Sequence, residues 1–173
     1  MIVKYRIISG EDESFVRDIE IYSDNTFLDL HLAIQASCDY DQSLLTTFYM
    51  SNKAWDKGQE IILTKMDEEV QSDTLVMEET KLSDIKIHLG QRIIYIYDFF
   101  SIRAFFIEVV NIREARKEDK NLEFPICTLS HSKAPMQIFI DDLTETNFEE
   151  GYDEEIDDDL EELGFDNIDN YDI

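Results

Sequence analysis

Two stretches, RIIYIYDFF (92–100) and AFFIEVVNI (104–112), are nearly apolar on both alternating faces, and only Ser101, Ile102 and Arg103 separate them. A strand that is apolar on both sides needs cover on both sides, which places it at the centre of a sheet. So short a connection forces the pair into an antiparallel hairpin. The pattern predicts Tyr95–Asp98 and Ala104–Val109 as adjacent central strands, with residues 100–103 turning between them. Asp98 and Ser101 suit a turn because their side chains bond local backbone groups. On this reading Asp98 and Arg103 form an exposed ion pair at the strand end, worth under about 1 kcal/mol. Phe106 is placed in the core, where truncation would cost about 3–5 kcal/mol.

The rest of the first 140 residues reads mostly as strands. In IVKYRII, Val3, Tyr5 and Ile7 alternate with Lys4 and Arg6, and in FVRDIEIY, Ile19 and Ile21 alternate with Asp18, Glu20 and Tyr22. These two predict a hairpin joined through SGEDES. NTFLDLHLAIQASC changes to helical spacing, with Phe27, Leu30, Ile34 and Cys38 on one face. Thr26 and Asp29 have the spacing of a capping box. LLTTFYM and EIILTK predict further strands joined by a loop containing Trp55 and Gly58. TKLSDI predicts a helical turn capped by Ser83 or Thr80, REARKEDKNLEFP a charged loop, and MQIFI a short edge strand.

Charge divides the chain. Of 40 acidic and 15 basic residues, giving a net −25, 16 acids and no base fall in residues 141–173. A nucleic-acid binder needs a basic face to displace counterions from phosphate, so direct binding to DNA or RNA is not expected, nor is binding to an anionic membrane. No apolar run approaches the ~18 residues of a membrane span. The N-terminus lacks the apolar core of a signal peptide, and Cys38 and Cys127 have no CxxC partner, so a reducing cytoplasm is the expected location. Within the acidic extension Phe148, Tyr152, Ile156, Leu160 and Leu163 recur at spacings of four, four, four and three, an apolar stripe on a helix. Gly151 weakens that helix by about 1 kcal/mol. The acids lack the glycine and ligand order of a calcium loop. The stripe predicts either a helix docked on the body or a segment that binds a basic partner, through Tyr152, Ile156, Leu160 and Leu163.

Few residues suggest chemistry. His31 could serve as a base or ligand, but a lone His needs partners, and His88 and His131 are read as loop residues without ligand spacing to it. Cys38 and Cys127 could be nucleophiles only beside a base, and free Cys is more often an inert, buried apolar residue. Asp98 with Arg103 could clamp an anion, although a turn with a weak ion pair is the commoner arrangement. No spacing indicates a metal site or a cofactor.

The ordered series DNTFLDLHLAIQAS, YDQSLLTTFYM, LSDI, YIYDFF and FPICTLSHSKAP resembles the plasmid pRiA ORF-three-like family, whose members are also labelled insertion-element passenger, resolvase-like proteins. The resemblance rests on Leu30-His31, Tyr97-Asp98-Phe99 and, loosely, Phe124-Pro125-Ile126-Cys127 with Ala134-Pro135, and it covers about residues 1–140. It implies a bacterial protein without an assigned activity and an α+β fold. The chain departs from the family pattern at Leu44-Leu45-Thr46, where relatives carry His-Leu-His, and at Ala134, where they carry a second Cys. A site built from those residues in relatives would be mostly lost here.

The expectation is therefore an α+β domain over residues 1–140, with a mixed, largely antiparallel sheet and packed helices, and an acidic extension over 141–173, partly helical and docked. Foremost for function is a non-catalytic interaction or regulatory module acting through an acidic surface. The alternative is an enzyme or metal-binding protein using His31, Asp98 and Arg103. An accessory role in DNA recombination comes last, since no basic arm is present to grip phosphates.

Overall fold

Strands β6 (Arg92–Asp98) and β7 (Arg103–Arg113) pair antiparallel in the middle of an eight-stranded sheet, where their apolar pattern places them. The structure is a computed structural model and describes residues 1–65 and 74–138. The other strands are β1 (Ile2–Ser9), β2 (Val16–Tyr22), β3 (Thr47–Ser51), β4 (Lys57–Ile62), β5 (Leu75–Val76) and β8 (Ile126–His131). The order across the sheet is β5-β4-β3-β6-β7-β1-β2-β8. The β4–β5 pair is parallel and the others are antiparallel, so the sheet is mixed.

A single α-helix, α1 (Phe27–Cys38), stands among the described residues. Its start is fixed as the spacing requires: Thr26 Oγ1 accepts from the Asp29 amide at 3.2 Å, and the Asp29 carboxylate accepts from the Thr26 amide at 2.8 Å. Phe27, Leu30, Ile34 and Cys38 are buried against one sheet face, where Tyr5, Ile7, Ile19, Ile21, Phe48, Tyr95, Phe105 and Ile107 meet them. Each large side chain so buried contributes about 1.5–3 kcal/mol. That interlocking, rather than helix propensity, holds a helix this short in place.

Several expectations are corrected. Among the described residues the expected packed helices reduce to α1 and two 3₁₀ turns, Leu82–Asp84 and Glu118–Asn121. Neither Ser83 nor Thr80 caps the first turn; Lys81 precedes it, and its amide donates to the Asp84 carboxylate at 3.0 Å. Of the expected edge strand MQIFI, residues 136–138 are not a strand and 139–140 lie outside the described residues; beside β2 the sheet edge is β8, which carries His131 at its end. Gly58 lies inside β4 rather than in the preceding loop. A Cβ there would sit 2.9 Å from the Met50 carbonyl oxygen, so the irregular β3–β4 pairing needs a glycine at that point.

The hairpin itself turns one residue early. Asp98 pairs with Arg103, leaving Phe99–Ile102 as the turn, so Arg103 belongs to β7. Arg103 points to the helix-side face and is only 7% exposed, whereas Phe106 is half-buried on the opposite face. Both placements reverse the sequence-based expectation. β6 is buried on both faces as expected, but β7 has one partly open face. The docked helix expected in the acidic extension, with Tyr152, Ile156, Leu160 and Leu163, lies outside the described residues.

Candidate functional site

The polar candidates fall into two groups at the β6–β7 hairpin and under α1. In the first, Arg103 grips Glu11 at two points, Nε to Oε1 and Nη2 to Oε2, each at 2.7 Å. Nη1 lies 3.8 Å from the Asp98 carboxylate and reaches the Gln137 carbonyl oxygen at 3.5 Å. The guanidinium also sits 5.2 Å from the Tyr97 ring centre, and Tyr97 Oη donates to Glu11 at 3.0 Å. Arg103 holds the Glu11 carboxyl below its usual range, and Glu11 in turn raises the arginine. Asp98 is occupied by the turn, since its Oδ1 accepts from the Phe100 and Ser101 amides at 3.0 and 3.3 Å. A guanidinium faced by two carboxylates repels a further anion rather than clamping it.

In the second group, His31 is 1% exposed, and its Nδ1 lies 2.8 Å from Tyr95 Oη and 3.2 Å from Thr46 Oγ1. Gln35, one turn along α1, donates through Nε2 to the same Tyr95 oxygen at 2.5 Å. Burial lowers the His31 pKa to about 4, so the ring is neutral at neutral pH, with Nδ1 between two hydroxyls. Gln137 spans the two groups: its Nε2 donates to Gln35 Oε1 at 3.3 Å and its carbonyl accepts from Arg103. The structure thus joins Asp98 and Arg103 directly and links them to His31 through Gln137, Gln35 and Tyr95.

The linkage between His31 and stability has a definite sign. Between pH 6.5 and 4 the unfolded chain takes up a proton that the folded chain refuses, so stability falls as pH falls through that window. Urea unfolding should show a loss of about 2 kcal/mol from pH 7 to pH 5. His31→Gln should remove most of that slope while keeping a polar partner for Tyr95. An unchanged slope in the variant would mean that His31 is charged in the fold.

The thiols are not activated. Cys38 is buried and its pKa is pushed up to about 11 by burial, while Cys127 is exposed, contrary to expectation, and is also raised by desolvation. Among the described residues no group of three His, Cys, Asp or Glu side chains could hold a metal, and no helix is long and apolar enough to cross a membrane. Sequence reasoning missed Glu11, Tyr95, Gln35 and Gln137, and marked Tyr97 and Thr46 only through the resembled pattern. A local sign existed for one of them, the polar pair His31 and Gln35, four residues apart beside the apolar stripe of α1.

What the hairpin exposes is apolar. Phe100 is fully exposed, Ile102 is 71% exposed, and Phe99 and Leu45 are about half-exposed. Ile102 adopts a left-handed backbone, φ 53°, which costs a β-branched residue roughly 1–2 kcal/mol. Two hollows meet at Leu45 and Phe99. One, about 330 Å³, is lined by Thr47, Glu60 and Ile62; the other, about 290 Å³, by Leu44, Phe100 and Ile138. Leu44, Leu45 and Thr46, the positions that depart from the resembled pattern, form part of these walls.

Comparison with known proteins agrees with the fold. A crystal structure of a protein of unknown function from Methanosarcina mazei Go1 is 28% identical, with 75% of this chain and 68% of that chain covered and a TM-score of 0.58. No curated protein matches the chain. The model of one family, described as plasmid pRiA4b ORF-3-like protein, matches residues 4–150, and the chain belongs to that family.

Proposed function

We propose that the protein is a non-catalytic interaction or regulatory module of the cytoplasm, acting on a basic protein partner through its acidic and apolar surface. One observation carries this reading: the side chains suited to chemistry are spent on the fold. Arg103 is locked to Glu11, Asp98 holds a turn, and His31 is neutral between two hydroxyls. Thr46, standing where the resembled pattern has the second His, gives His31 a hydroxyl instead of a second ring. Exposed instead are carboxylates, in a chain of net charge −25, and the apolar hairpin tip. The acidic extension, with Tyr152, Ile156, Leu160 and Leu163, supplies a second partner-binding segment on this reading.

Affinity capture from the native host with the full chain, compared with an Ile156→Asn, Leu160→Asn variant, tests the proposal. Basic proteins released by raised salt and lost in the variant are the expected result; a catch unaffected by both would sink it. The same charge leads to a further expectation. In an anisotropy titration at physiological salt the chain should not bind labelled duplex DNA, and binding below 1 µM, an ~8 kcal/mol affinity, would instead favour the recombination role.

A further inference from the structure

We propose that the paired hollows on either side of Leu45 and Phe99 are the docking groove for a cationic amphipathic segment of a partner protein; this rests on the interaction reading above. Phe99, Phe100, Leu45 and Ile138, all 42% exposed or more, line the two hollows, and Ile102, 71% exposed, stands beside them in the same turn. Such a cluster around a concavity marks a binding surface more often than chance exposure does. The two hollows, about 330 and 290 Å³, share Leu45 and Phe99, so neighbouring anchors of one helix or strand can enter both.

The charge of the occupant follows from the wall. Glu60 lines the larger hollow, on the sheet face turned away from α1, where Thr47, Glu60 and Ile62 alternate with the buried Phe48 and Ile61. Its Oε1 accepts from Tyr49 Oη at 2.6 Å and Thr47 Oγ1 at 3.2 Å, which fix the carboxylate in place. A Lys or Arg flanking an apolar anchor meets this carboxylate and is drawn in by the −25 charge of the chain. A second copy of the chain carries the opposite preference, and so do the 16 acids of residues 141–173.

The test titrates the full chain, by anisotropy in 0.15 M sodium chloride, with a labelled Leu/Lys amphipathic peptide and with its Leu/Glu counterpart. The Leu/Lys peptide should bind and the Leu/Glu peptide should not. A Leu45→Asn, Phe99→Asn variant should weaken binding about tenfold or more, and Glu60→Gln about threefold. Leu45 and Phe99 are about half-exposed and Glu60 is partly exposed, so unchanged thermal melting serves as the folding control. Affinity unmoved by the groove variants but reduced by Asp157→Asn, Asp158→Asn and Asp159→Asn would overturn the groove and leave the acidic-surface reading standing. Affinity unmoved by both sets would overturn both. Sedimentation showing a dimer that Leu45→Asn dissolves would assign the groove to a second copy. Hydrogen-exchange protection over residues 145–165, lost in the groove variant, would assign it to the acidic extension. Either result would overturn the proposal.

Discussion

Phe105→Ala should lower stability by about 4 kcal/mol, the largest loss expected from a single truncation in this fold. The ring is fully buried at the centre of the sheet. It stacks on Phe15 at 4.9 Å between centres and lies 4.5 Å from Tyr97, 6.0 Å from Tyr40 and 6.4 Å from Tyr95. Truncating a buried Phe removes the transfer free energy of the ring and leaves a cavity, about 3–5 kcal/mol together. Aromatic contacts add about 0.5–1.5 kcal/mol each beyond area. The site cannot collapse easily, because Phe15 comes from the β1–β2 loop, Tyr40 follows α1, and Tyr95 and Tyr97 belong to the neighbouring strand. Urea unfolding with an unchanged m-value is the measurement. A loss below about 2 kcal/mol would mean that the aromatic cluster repacks and is not the rigid centre described.

The elements that could be read from sequence are those whose side chains follow a period. The two apolar runs gave the β6–β7 hairpin, and Phe27, Leu30, Ile34 and Cys38 gave α1, because each set is buried on the face its spacing implies. β8 escaped notice for the converse reason. Five of its six residues are exposed, so no alternation marks Ile126–His131 as a strand, and only its pairing with β2 makes it one. Long-range pairing also hid the polar groups. Glu11 lies 92 positions from Arg103, and Tyr95 lies 64 from His31. Nothing in local spacing tells an arginine at a turn that a carboxylate from another loop will cover it. The early turn also brings Phe99 out of the apolar run into solvent, beside Phe100, which lies in the turn as expected.

Arg103 is where the two readings differ most measurably. Removing it should cost about 3 kcal/mol, against about 1–2 kcal/mol for Phe106→Ala, the reverse of the order the sequence suggests. Phe106 is half-buried on the outer face, with its ring 4.9 Å from the Trp55 ring, and its loss opens a surface notch that water fills. Arg103 is 7% exposed, and its deletion leaves Asp98, with a side chain 4% exposed, facing Glu11 without the intervening positive charge. The half-exposed Glu11 can rehydrate, which keeps the figure at the low end for a broken buried pair. Arg103→Met keeps most of the apolar stem and should cost nearly as much as Arg103→Ala, because the stranded carboxylates, not lost packing, set the penalty. The sign with pH is fixed by the same pair. Arg103 holds the Glu11 carboxyl below its ordinary 4.5, so the wild-type chain has this stabilisation above that value and loses it as pH falls further. The deficit of Arg103→Met should therefore shrink below pH 4.5. If it is constant from pH 7 to pH 3.5, or if Phe106→Ala proves the costlier change, the buried ionic cluster does not support the hairpin.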